Sequence, residues 1–126
     1  RYFYSIRARD TLRGAQPDWV RKVYGFAVKP DMVIYLRAEV DDLVARAVAS
    51  RGFNYWESGM DMNLADNMYD SFRIYQGRLI KQFDAMVPEY GFRTVDASRD
   101  VERVYSDVLD LVKELEREPA AAGRKA

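Results

Sequence analysis

Lys29-Pro30-Asp31-Met32-Val33-Ile34-Tyr35-Leu36 is the stretch on which the fold turns. Five apolar or aromatic residues run unbroken from Met32 to Leu36, behind a Pro-Asp turn signal. That is the pattern of a short strand buried on both faces, as in a parallel sheet. Val40, Leu43, Val44, Ala47 and Val48 follow at steps of three and four, an apolar helix stripe with Arg46 and Arg51 toward its far end. The unit reads strand, crossover helix, then a loop opening at Arg51-Gly52.

Upstream, Tyr2 to Arg13 is helix-competent and carries Arg7, Arg9 and Arg13, with Gly14 where helices commonly end. Pro17-Asp18 starts a second short helix, with Trp19, Val20, Val23 and Tyr24 expected toward the core. Downstream, residues 52–62 mix Gly, Asn, Ser, Met and aromatics without periodicity and read as a mobile loop. From Asn63, the series Leu64, Met68, Phe72, Tyr75, Leu79, Phe83 and Met86 predicts a long helix stopped by Pro88 and Gly91. Core packing accounts for this stripe in full. Phe92 to Val95 is a second strand, Asp96-Ala97-Ser98 is the turn beyond it, and Val101 to Leu115 is a final amphipathic helix. Residues 118–126 have nothing to bury and are expected to be a disordered tail.

The 126 residues suffice for one domain. Twenty basic and twenty acidic residues cancel, which leaves no electrostatic footprint for nucleic acid or an anionic membrane. Five of the basic residues are Lys and the rest Arg. The planar guanidinium suits two-point contact with phosphate, although an arginine-favouring genome explains the bias equally well. With no Cys and no His, thiol catalysis, Ser-His-Asp chemistry and the usual zinc sites are excluded, and no metal ligands are assigned. No apolar run approaches membrane-spanning length and no signal peptide is visible, so a cytoplasmic protein is the default expectation.

Two parallel strands buried on both faces are not stable by themselves. The pattern therefore predicts part of a larger α/β fold whose other strands lie upstream. Ligands of such sheets bind beyond the carboxyl ends of the strands, which directs attention to the loops after Leu36 and Val95. Arg46, Arg51, Tyr55, Trp56 and Glu57 fall near the first of these. Solvated helix charges and aromatics covering a core edge are the simpler reading of the same residues.

Six segments in order resemble the thymidylate kinases. Arg1-Tyr2-x-x-Ser5-x-x-Ala8 resembles the remainder of that family's Asp-Arg-Tyr-x-x-Ser-x-x-Ala motif, and Lys29 to Leu36 its Pro-Asp strand. Arg46 and Arg51 fall where the family's arginines enter its lid, and Trp56-Glu57 resembles the aromatic-Glu pair after it. Phe72-x-x-Tyr75-x-x-x-Leu79 and Val95-Asp96-Ala97-Ser98 complete the series.

The resemblance implies that residues 1–117 are the C-terminal portion of a three-layer P-loop kinase fold, with parallel strands, flanking helices and a lid at about 52–62. It implies transfer of the ATP γ-phosphoryl group to dTMP, giving dTDP, with Mg2+. Arg1, Arg46 and Arg51 would then be catalytic. Arg1, Ser5, Arg9, Trp56 and Glu57 would bind the monophosphate, and Asp96, Ala97 and Ser98 would lie against the adenine of ATP. A homodimer is usual in the family; the apolar helix faces would serve one, as they would serve a core.

The Gly-rich phosphate loop and the acidic residue expected before Arg1 are absent from the sequence. The 126 residues by themselves are therefore expected to be inactive, and an upstream half is expected in the parent. Ile6 and Arg9 stand where relatives commonly have Asn or Gln and an aromatic, and Asp10 where many have Gln. A kinase for another nucleoside monophosphate, or a non-catalytic α/β interaction fragment, therefore remains open beside the dTMP reading.

Overall fold

The computed structural model describes residues 3–118, so Arg1 and the tail from 119 onward lie outside the described residues. The elements are α1 (Phe3–Leu12), α2 (Pro17–Val23), β1 (Ile34–Arg37), α3 (Val40–Ala49), a 3-10 turn (Met60–Met62), α4 (Met68–Tyr90), β2 (Arg93–Asp96) and α5 (Val101–Arg117). β1 and β2 pair in parallel, Ile34 opposite Arg93 and Leu36 opposite Val95. The crossover between them contains α3 and α4, the connection that a parallel pair demands.

The core lies between α1 and α4. Phe3, Tyr4 and Ala8 of α1 meet Tyr75, Leu79 and Met86 of α4, with Val20 and Phe92 closing the cluster. Tyr4, Tyr90 and Phe92 add ring contacts, Tyr4 standing edge-on to both at 5.0 Å. Arg7 is buried among these aromatics, paired with Glu89 at 2.9 Å and lying over the Tyr90 ring.

Several expectations need correction. β1 begins two residues later than the apolar run, and it is not buried on both faces. Tyr35 packs on Phe83 of α4 with ring centroids 5.6 Å apart. On the other face α5 packs against β2, so Val95 is buried while its register partner Leu36 is 54% exposed. β2 is likewise shifted, to Arg93–Asp96. In α2, Val20 is buried but Trp19 and Val23 are exposed, because a helix this short offers the core only one residue per turn.

The long helix starts at Met68 rather than Asn63. Asn63 adopts a left-handed φ of 56°, which breaks a helix there, and Asn67 caps the new start by accepting the Asp70 N–H at 2.8 Å. Leu64 keeps its core contact from the irregular segment. Pro88 does not end α4, since it sits in the last turn and forfeits a single backbone bond. Gly91 ends it, with φ 70°. α3 closes at Ala49, so Arg51 belongs to the following loop.

The C-terminal end of β1 is fastened to α4 by charge. Arg37 forks onto Asp84 through Nε at 2.9 Å and Nη2 at 3.0 Å, and the Tyr35 hydroxyl donates to the same carboxylate at 3.2 Å. The Arg37 hydrogen bonds hold the Asp84 carboxyl below the usual carboxylate range. On acidification the unfolded chain therefore takes up this proton first. The stabilisation is complete above the ordinary aspartate value of about 4 and is lost as pH falls through the lower folded value. Asp84→Asn is expected to flatten the acid limb of stability in urea melts between neutral and acid pH; an unchanged slope would show the pair to be inert.

Candidate active site

Ser5 and Arg9 lie four residues apart on α1 and so share one helical face. Arg46 stands in the last turn of α3, and the chain then turns at Arg51-Gly52 toward α4. These walls enclose a cleft of about 390 Å³, into which Ser5, Arg9, Arg46, Arg51, Glu57 and Gln76 all open. Leu79 and Phe83 of α4 contribute apolar lining. In a chain of zero net charge, three guanidinium groups face one carboxylate here.

The partners of those arginines sharpen the imbalance. Arg51 pairs with Glu57 at 2.7 Å. Arg46 donates to the backbone carbonyl of Ala97 and has no carboxylate partner among the described residues. Arg9 makes no side-chain ion pair there either. The site therefore carries uncompensated positive charge, which favours an anion.

Glu57 is held firmly. Its N–H donates to Asn54 Oδ1 at 2.8 Å, and its carbonyl accepts from Gln76 Nε2 at 2.8 Å. Ser71 on α4 donates to the Ser58 carbonyl at 2.6 Å. The segment expected as a loop is thus a hydrogen-bonded series of turns laid against α4. Trp56 is 68% exposed at its rim.

Two further clefts adjoin. One of about 670 Å³ shares Arg9 and Glu57 and is lined also by Asp10, Arg13, Tyr55, Trp56 and Tyr75. The other, about 540 Å³, lies beyond Arg46 and is lined by Leu36, Ala97, Arg99, Val101 and Tyr105. Arg46 therefore stands between two cavities, beside the C-terminal end of β2. Asp96 and Ser98 turn inward on each other instead: the Asp96 carboxylate accepts from the Ser98 N–H at 3.0 Å and from its hydroxyl, and these bonds hold its carboxyl below the usual range.

The amino-acid sequence has counterparts among known proteins. No family model matches the chain. Over 116 residues it is 31% identical to the probable thymidylate kinase 2 of Saccharolobus solfataricus, covering 90% of this chain and 54% of the relative. Identity to the probable thymidylate kinase of Pyrococcus horikoshii is 31% over 113 residues (90% of this chain, 49% of the relative). For that of Staphylothermus marinus it is 30% over 114 residues (90% and 51%).

The chain is similar in sequence to thymidylate kinases. It spans about half the length of the curated relatives it matches. In this chain with thymidylate kinase similarity, Ser5, Arg9, Arg46, Arg51 and Glu57 of the sequence-predicted set meet in one cleft, with Trp56 at the adjoining one and Ala97 at the third. Asp96 and Ser98 line none of these three. Gln76 was not anticipated, yet it interrupts the apolar spacing Phe72, Gln76, Leu79, Phe83 with a polar group. Arg13 and Arg99 had no such signal, since nothing in their spacing distinguishes them from solvated charges.

No helix among the described residues is long and apolar enough to cross a membrane. Nor do three or more Asp or Glu residues converge on a metal-sized site there.

Proposed function

We propose that this chain is the C-terminal portion of a cytoplasmic nucleoside-monophosphate kinase that transfers the γ-phosphoryl group of ATP to dTMP, giving dTDP. The observation that carries the reading is Arg46, standing between two cavities with no carboxylate to neutralise it. Phosphoryl transfer asks the protein chiefly to align two anions and to balance charge on the group in flight, so a guanidinium between donor and acceptor sites is the part it needs.

In this reading the monophosphate occupies the clefts bounded by Ser5, Arg9, Trp56 and Glu57, and Arg1 contributes to its phosphate. Arg51 leaves Glu57 to meet the phosphates from the lid side. The adenine lies on the apolar surface of Leu36, Val101 and Tyr105, over the turn at Asp96, Ala97 and Ser98. A Gly-rich phosphate loop comes from residues preceding Arg1, on strands that pair with the open edge of β1. Mg2+ accompanies ATP in the family reading, and the described residues offer no carboxylate cluster to hold it. A homodimer is compatible with the exposed apolar faces of α2 and α5.

The test is an assay of the protein that carries this chain, with ATP and a panel of nucleoside monophosphates. Formation of dTDP in preference to other diphosphates is the expected result, and failure to phosphorylate any of them would end the reading. A second acceptor is favoured by one feature: Arg9 and Asp10 give the monophosphate cleft a charged lining. Preference for another nucleotide in the same panel would select it.

A further inference from the structure

We infer that Arg13 and Asp61 are a positioning pair that holds the 53–62 segment against α1 and so fixes the gap between Arg9 and the Trp56-Glu57 wall. The inference deepens the kinase reading above and rests on it for the name of the ligand.

Arg13 follows the last turn of α1, and Asp61 is the middle residue of the 3-10 turn. The guanidinium forks onto the carboxylate, Nε to Oδ2 at 2.8 Å and Nη2 to Oδ1 at 3.0 Å. Its remaining nitrogen, Nη1, donates to the Tyr75 hydroxyl at 3.0 Å and to the Arg9 carbonyl at 3.3 Å. The same group lies over the Tyr75 ring, 5.2 Å from the centroid. Tyr75 is 2% exposed, so this anchor is itself fixed by the core. A planar fork with both ends used tolerates little displacement.

On its inner side the segment is tied to α4 by Ser71 and Gln76. On the α1 side, Arg13 ties it down through the fork onto Asp61. Arg9, Arg13, Trp56 and Glu57 line one cleft, so releasing Arg13 frees one wall relative to the other. The pair also reaches no cavity on the far side of Arg46, which predicts an effect on one substrate alone.

Arg13→Met keeps the packing on Tyr75 and removes the fork. In the protein that carries this chain, the amides of 58–62 should exchange hydrogen about ten-fold faster, the scale of one lost charge-assisted bond, while the amides around Tyr75 and Leu79 do not. The KM for the monophosphate should rise about ten-fold, more than kcat falls, with the KM for ATP unmoved. Arg13→Lys should recover part of both effects, and Asp61→Asn should reproduce them from the other side should the Met variant fail to fold. Unchanged exchange at 58–62, or a parallel rise in both KM values, would overturn the inference. If the parent phosphorylates nothing, the kinase reading falls, and the exchange data alone decide whether the pair positions the segment.

Discussion

Arg46→Met in the protein that carries this chain is expected to lower kcat by about a hundred-fold or more, the loss that follows removal of one preorganised charge facing a transferring phosphoryl group. The guanidinium stands between two cavities, and its partner is a carbonyl rather than an acid. A carbonyl bond is readily exchanged for a phosphate oxygen, whereas an ion pair would have to be broken first. Arg46→Lys retains the charge without the fork and should fall between the two. Steady-state kinetics with ATP and the preferred monophosphate provide the measurement. A Met variant within three-fold of the parent would remove Arg46 from the chemistry, and with it the main support for the proposed mechanism.

The largest effect on folding is expected at Gly59. Its φ is 63°, and a Cβ there would lie 2.6 Å from both Cγ and Cδ2 of Tyr75. The ring cannot retreat, because it is buried and its hydroxyl is bonded to Arg13. Gly59→Ala therefore combines left-handed strain with overpacking, together about 2–4 kcal/mol. Gly91 supplies the control, since its φ is 70° but nothing lies within 4 Å of the added Cβ. Gly91→Ala should show the strain alone, about 1–2 kcal/mol. Denaturant midpoints compare the two, and equal losses would mean that the Tyr75 contact yields.

The exposed face of Leu36 shows where pattern reading stops. An unbroken apolar run says that a strand suits an apolar environment, but not which neighbour provides it. Val95 and Leu36 share a register position and still differ in burial, because α5 covers one and leaves the other open. Trp19 and Val23 teach the same lesson on α2. Their spacing matches Val20 and Tyr24, yet only one side of a two-turn helix can touch α1. At Asn67 and Gly91, by contrast, the capping chemistry is local, and those boundaries are explicable from a few adjacent residues.

The order of helices and strands and the apolar stripe of α4 were determined by the sequence, because each depends on periodicity or turn chemistry within a short window. The cleft was decided by tertiary structure. Arg46 reaches Ala97 across 51 positions and Arg13 reaches Asp61 across 48, and no local period encodes either meeting. The physical reason is that a guanidinium acts at the end of a long side chain. Its place depends on where packing sets a distant backbone, while the helix that carries it depends only on its own neighbours.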